Sequence, residues 1–125
     1  MAETGLKLRT AAPSGDWRSF LTTAPTGGCD AGDMDMIHDT VGVYMQTADE
    51  GDDVAFCYHA EKIVVPKSIE SGDAFEVGDK VFYDTTYQKV TTATSGDYWI
   101  GICLEAATDE DTEVLIDLKG DKAHS

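Results

Sequence analysis

The side chains best suited to chemistry in this sequence are three histidines, His38, His59 and His124. General acid–base catalysis needs such a group within hydrogen-bond reach of a nucleophile or a substrate. No serine or cysteine motif accompanies any of the three, so each is interpreted as a surface or strand residue. The phosphate-binding loop pattern is also absent, because Gly78-Asp79-Lys80 is not followed by Ser or Thr. These patterns predict that the protein is not an enzyme.

Metal-ligating residue types occur in two acidic runs, residues 30–39 and 109–111. Oxygen ligands suit calcium, but neither run has the spacing of aspartate, glycine and glutamate that an EF-hand loop requires. The cysteines Cys29, Cys57 and Cys103 include no C-x-x-C pair, which argues against a zinc site and against a disulfide framework. We therefore expect no metal and no cofactor, and we interpret the acidic runs as solvated turns.

The charge balance excludes one class of partner. The chain has 24 Asp and Glu against 9 Lys and Arg, a formal net charge of -15, and no basic run. Nucleic-acid binders rely on Lys and Arg to displace the counterions of the phosphate backbone, so we expect no nucleic-acid partner. The sequence also shows no signal-peptide pattern and no apolar stretch long enough for a membrane span. We expect a soluble protein that is made in a cytoplasm and does not bind a membrane.

The elements that must position any site are short β-strands. Alternating or apolar runs at residues 41–47, 53–60, 62–67, 80–84, 89–93, 98–106 and 113–119 predict strands, separated by Gly-Asp turns. The last four runs are interpreted as two hairpins, and Gly101 predicts a bulge or a close backbone approach. Trp99, Ile100, Ile102 and Leu104 predict a central strand that is covered on both sides. The pattern favours an all-β fold, a small antiparallel β-barrel or sandwich with an extended N-terminal arm.

At 125 residues the chain has room for one domain. We expect an extended N-terminal arm at residues 1–30, a β-barrel-like domain at 31–120 and a C-terminal tail at 121–125. The arm is rich in Thr, Ala, Pro, Ser and Gly, and its cluster of large side chains consists of Trp17, Phe20 and Leu21, beside Arg18. Trp and Arg are the residue types that most often carry interface energy. We therefore predict that these four residues contact the capsid or a neighbouring subunit, with a Trp17 folded back onto its own barrel as the alternative.

The β region as a whole resembles a known family. The residues that carry the resemblance are Thr23-Ala24-Pro25 with Gly27-Gly28, Ala31-Gly32-Asp33, Val41-Gly42-Val43, Glu50-Gly51, Val64-Val65-Pro66-Lys67, residues 77–84, Val90-Thr91-Thr92, Ile100-Gly101-Ile102 and Leu104-Glu105-Ala106-Ala107. Over residues 22–119 the chain resembles the capsid decoration or cement proteins of tailed phages and related viruses. That family is often labelled a phage recombinase, but the nucleotide loop and the basic DNA contacts of a recombinase are missing from this sequence.

The resemblance implies a structural virion protein that binds the outer surface of the capsid and stabilises the shell. Its implied partners are the major capsid protein and two further copies of itself, as a homotrimer at capsid three-fold positions. The alternative function is a non-catalytic cellular binding or adhesion module, for example for carbohydrate, with a similar small barrel. Tyr87, Tyr98 and Trp99 would be its sugar-stacking candidates.

Overall fold

From residue 40 onward, the strands follow the alternating or apolar runs of the sequence. A computed structural model describes residues 14–68, 74–92 and 98–122. Its strands are β1 (Ser14–Thr23), β2 (Met34–Ile37), β3 (Thr40–Tyr44), β4 (Asp53–Pro66), β5 (Lys80–Asp84), β6 (Lys89–Thr91), β7 (Tyr98–Cys103) and β8 (Glu113–Lys119). A 3₁₀-helix at Gly120–Lys122 is the only helical turn in these described ranges.

The sheet curls almost into a barrel. Its strand order is β2-β3-β4-β8-β7-β5-β6, with β1 added on β4, and all strand pairs are antiparallel. Lys67, directly after β4, forms an isolated parallel bridge with Val90 of β6, which brings the far end of the sheet back towards β4. Such closure leaves fewer unpaired strand edges. The prediction of an all-β fold, a small antiparallel β-barrel or sandwich, is confirmed, and the sheet is nearly closed into a barrel.

Two apolar clusters lie on opposite faces of the first half of β4. The main core fills the barrel and includes Val43, Cys57, Tyr83, Ile100 and Ile116, all at most 1% exposed. A second, smaller core contains Ala24, Cys29, Tyr44, Val54 and Phe56, with Phe20, Ile37 and Ala48 packed against it. Successive side chains point to opposite faces of a strand, which is how Phe56 enters the second core and Cys57 the main one.

The two predicted hairpins are confirmed: β5 pairs with β6, and β7 pairs with β8. Both expectations for Gly101 are also met. The pairing of β5 with β7 shifts register beside it, and a Cβ at Gly101 would collide with the carbonyl oxygen of Asp117.

Three strand predictions need correction. The sequence predicts separate strands at residues 53–60 and 62–67, but β4 runs through both, because the irregularity between Ala60 and Ile63 shifts the register of its pairing with β8 without ending the strand. The acidic run at 30–39 contains a strand, β2, in addition to turns. β7 is central in the sheet as expected but is not covered on both sides, since Ile102 is 38% exposed.

Part of the predicted arm lies within the described residues. Residues 14–23 form β1 and pair with β4 along nearly their whole length. Residues 1–13 and 123–125 lie outside the described ranges. The division into arm, barrel domain and tail therefore stays a prediction.

Candidate functional site

The four predicted contact residues all lie on β1, but they do not share one environment. Phe20 is half-buried and packs on the rings of Phe56 and Tyr58, with centroid distances of 5.4 and 5.6 Å. It pairs across the strands with Phe56 and belongs to the second core. Phe20 therefore holds β1 on the protein itself.

Trp17 and Leu21 are left in solvent, at 44% and 68% exposure. Their positions differ by four, and side chains alternate between the two faces of a strand, so both lie on the face of β1 opposite Phe20. Arg18 follows Trp17 and therefore projects to the other face of the strand, where it is also exposed. We call the exposed side chains of Trp17, Arg18 and Leu21, which lie on both faces of β1, the β1 surface.

A row of basic groups begins at the β1 surface. Arg18 pairs with His59 of β4, and His59 pairs with Lys119 of β8. Directly paired residues of antiparallel strands project to the same side of a sheet, so the three side chains are lateral neighbours. Carboxylates stand close by, with Asp121 Oδ1 3.9 Å from His59 Nδ1 and Asp117 Oδ1 3.4 Å from Lys119 Nζ. In a chain of net charge -15, this row is suited to an acidic partner surface.

The sequence does not reveal this row, because its members are 41 and 60 residues apart along the chain and only strand register joins them. Register is set by the packing of the whole sheet. The one local feature of the sequence that pointed to this region was Arg18 next to Trp17, two residue types common at interfaces.

Several aspartates accept hydrogen bonds within their own turns. Asp33 Oδ2 accepts a hydrogen bond from the Asp30 backbone N–H at 2.9 Å, and Asp111 Oδ2 accepts one from the Thr108 backbone N–H at 2.8 Å. Aspartate at these positions stabilises a turn by bonding its own backbone. Across the described part of the chain, no group of three or more His, Cys, Asp or Glu side chains is arranged to hold a metal ion.

Asp35 links β2 to β3 and to the β5–β6 turn. Its carboxylate accepts hydrogen bonds from the Tyr44 hydroxyl at 2.6 Å, from the Met36 backbone N–H at 2.7 Å and from Gln88 Nε2 at 3.4 Å. Burial, together with the hydrogen bond to Asp35, raises the pKa of Tyr44 above its usual value. A cavity of about 350 Å³ opens beside this network, between β2 and the β5–β6 turn.

The remaining reactive groups are dispersed or shielded. His38 lies in the β2–β3 turn, His59 lies in β4, and His124 is outside the described residues. Cys29, Cys57 and Cys103 are free thiols and buried, and burial raises the pKa of each. A raised pKa lowers the thiolate fraction and with it the reactivity of a cysteine.

The three candidate sugar-stacking rings do not form an exposed set. Tyr87 is 60% exposed in the β5–β6 turn, whereas Tyr98 and Trp99 are half-buried on β7. Tyr98 packs against the main core. Of the three rings that the carbohydrate-binding alternative requires at the surface, only that of Tyr87 is exposed.

Comparison with known protein families gives a match over most of the chain. A family model described as phage cement protein covers residues 13–118. This range takes in β1, which lies largely outside the resemblance over residues 22–119. No curated protein and no solved structure matches the chain. No helix in the described part of the chain is long and apolar enough to cross a membrane.

Proposed function

The chain belongs to the phage cement protein family, and on that basis we propose that it binds the outer surface of a viral capsid and stabilises the shell without catalysing a reaction. The family match is the observation that carries the proposal. Its partner is the major capsid protein, and its place is the virion surface after synthesis in the host cytoplasm.

The β1 surface is the proposed contact. Trp17 and Leu21 present apolar area that the fold leaves in water, and Arg18 begins the basic row that continues through His59 and Lys119. Burying an exposed Trp or Leu at an interface removes apolar area from water, and a guanidinium forms forked hydrogen bonds to carboxylates. Phe20 serves the contact indirectly, because it fixes β1 on the second core.

The subunits assemble, in this proposal, as trimers at the three-fold positions of the shell. A cement subunit can bind weakly on its own, since attachment of three linked copies multiplies the affinity through effective concentration. A closed ring of three uses two different patches on each subunit.

Capsids stripped of the protein provide the test. We expect the double variant Trp17→Ala/Leu21→Ala to melt within a few degrees of the parent chain and to bind the capsid more weakly by about 2 to 4 kcal/mol, roughly 30- to 700-fold in Kd, the scale of one or two interface hot spots. The matched control is Val77→Ala, since Val77 is also an exposed apolar residue, at 69%, but lies in a turn before β5. It should bind as the parent does.

Phe20→Ala is the stability control. It should lower the melting temperature, because it removes a ring from the second core. Unchanged capsid affinity in the Trp17→Ala/Leu21→Ala variant would exclude the β1 surface as the contact. Cryo-electron microscopy of decorated capsids should show density in threes around the three-fold axes, and single subunits at two-fold or five-fold positions would exclude the trimer.

A further inference from the structure

One turn geometry, with a glycine of positive φ at its third position, occurs twice in the described residues, while the turn at residues 108–111 makes the same two bonds without such a glycine. In residues 30–33 the backbone N–H of Asp33 donates to the carbonyl of Asp30 at 3.0 Å, and the Asp33 carboxylate accepts from the Asp30 N–H at 2.9 Å. In residues 76–79 Asp79 makes the same two bonds with Glu76, at 3.0 and 2.8 Å. The third residue of each turn is a glycine with positive φ, 97° at Gly32 and 94° at Gly78.

Each turn is joined in the same way to a strand farther along the chain. The N–H of Gly32 donates to the carbonyl of Tyr44 at 2.8 Å, and the N–H of Tyr44 donates to the carbonyl of Asp33 at 2.9 Å. Gly78, Cys103 and Asp79 repeat this pair of bonds at 2.9 and 2.8 Å. Tyr44 ends β3 and Cys103 ends β7, so β7 corresponds to β3.

The residue before each turn makes a matching bridge. Cys29 and Ala48 exchange two backbone hydrogen bonds, at 2.9 and 3.0 Å, and Phe75 and Ala107 exchange two, at 2.8 and 3.0 Å. A further bond from Met45 N–H to the carbonyl of Ala55, 2.9 Å, recurs as Leu104 N–H to the carbonyl of Leu115, also 2.9 Å.

A shared crowding point supports the same correspondence. Gly42 lies two residues before Tyr44, and Gly101 lies two before Cys103. A Cβ at Gly42 would strike the carbonyl oxygen of Cys57, and a Cβ at Gly101 would strike that of Asp117. Cys57 pairs with Val43 just as Asp117 pairs with Ile102.

The flanking strands complete the match. β1 pairs with the first half of β4 through Phe20 opposite Phe56 and Thr22 opposite Val54. The second half of β4 pairs with β8 through Ile63 opposite Ile116 and Val65 opposite Val114. Phe56 and Ile116 are themselves equivalent, because they pair with Tyr44 and Cys103 respectively.

We propose that residues 14–119 are one β unit used twice, with β4 serving as the last strand of the first unit and, in its second half, as the first strand of the second. The irregularity between Ala60 and Ile63 lies where one role ends and the other begins. The second unit is longer because β6 is inserted between its counterparts of β2 and β3. The second core is the core of the first unit, and its members Cys29, Tyr44 and Phe56 correspond to Phe75, Cys103 and Ile116 of the main core.

The two units differ on their rear faces, because the first unit is covered by the second and the second is covered by no further unit of the described chain. The rear face of the first unit, with Val43 and Cys57, covers the core of the second and is fully buried. The same positions in the second unit are Ile102, which is exposed, and the charged Asp117. A terminal repeat needs a polar outer face to stay soluble, and Asp117 and Lys80 supply one beside Ile102.

A second difference bears on binding and rests on the proposed function. Leu21 opposite Ala55 corresponds to Val64 opposite Leu115, yet Leu21 is 68% exposed and Val64 is 6% exposed. The first strand of the first unit therefore lacks a cover that its counterpart has, at the point where the β1 surface is proposed to meet the capsid.

The duplication is tested by moving a turn between units. The variant Glu76→Asp/Val77→Ala gives the second turn the sequence of the first, and we expect it to melt within about 2 °C of the parent. In the control, Val77→Gly/Gly78→Ala, the glycine is displaced by one residue and an alanine must adopt the positive φ of position 78. We expect the control to melt about 5 °C lower.

A transplanted turn that melts as low as the control would overturn the proposal. So would an experimental structure in which residues 29–33, 42–48 and 54–57 fail to superpose on 75–79, 101–107 and 114–117 to within about 2 Å, well below the spacing of about 4.8 Å between neighbouring strands. Neither readout involves the capsid, so either outcome leaves the proposed function to its own test.

Discussion

At the scale of single residues, aspartate carboxylates hold turns and strand ends together by hydrogen bonds, whereas apolar packing holds the two cores together. Asp35 accepts three hydrogen bonds and ties β2 to the β5–β6 turn, and Asp33 and Asp79 close the two equivalent turns. Tyr44 is central to the first of these arrangements, because its ring packs against Phe56 and its hydroxyl donates to Asp35. Ionisation of the Tyr44 hydroxyl would therefore break its hydrogen bond to Asp35.

We predict that Tyr44→Phe lowers the free energy of unfolding at pH 7 by about 1 to 2 kcal/mol, because Asp35 loses a donor. The folded-state pKa of Tyr44 is raised, so its stabilising share is present below the unfolded value near pH 10 and is lost as the pH rises above it. The variant should consequently lose less stability than the parent above about pH 10. Urea unfolding at a series of pH values measures both effects, and Tyr87→Phe, at an exposed position, is the control. An identical alkaline decline in Tyr44→Phe and the parent would contradict the argument.

At the scale of the elements, strand β1 combines two roles. Its inner side chain Phe20 completes the second core, while its outer side chains Trp17 and Leu21 stay in water. β7 shows a similar division, because Ile100 is fully buried and Ile102 is exposed. The tight contact of β7 with β8 depends on Gly101, where the two backbones approach more closely than a side chain would allow.

We predict that Gly101→Ala lowers the free energy of unfolding by more than about 3 kcal/mol, since β7 and β8 must move apart and lose packing against the main core. Gly27→Ala is the matched control. Gly27 has a positive φ of 85°, but a Cβ there would meet no atom within 4 Å, so only backbone strain of about 1 to 2 kcal/mol is expected. Equal losses in chemical denaturation of the two variants would show that the close approach at Gly101 is not rigid.

At the scale of the whole molecule, the dominant feature is the net charge of -15. The basic row of Arg18, His59 and Lys119 is local and partly paired with carboxylates. The remaining surface repels itself, and the subunits of the proposed trimer would repel each other for the same reason. Self-repulsion of this kind opposes the compact state and is weakened by salt.

We therefore predict that the melting temperature rises with salt, because the Debye length shortens from about 30 Å at 0.01 M to about 10 Å at 0.1 M. Exposed ion pairs are worth at most about 1 kcal/mol each, so their screening should not reverse the trend. Differential scanning calorimetry between roughly 0.01 and 1 M sodium chloride measures the effect, and a flat or falling melting temperature would count against it. Potassium chloride at the same ionic strengths should act alike, since the effect depends on screening and not on a particular cation.

The amino-acid sequence by itself determined most of the strands from residue 40 onward and their turns, because alternation of apolar residues and Gly-Asp pairs are local signals, but it did not predict β1 or β2 as strands. It placed both hairpins, the bulge at Gly101 and the family. Only the tertiary structure decided which strands pair over long distances. It joined β1 to β4, separated Phe20 from Trp17 and Leu21, and aligned Arg18 with His59 and Lys119. These outcomes depend on strand register, which is set by the packing of both cores. The proposed repeat also emerges from the tertiary structure, because its side chains have diverged while its backbone hydrogen bonds still correspond.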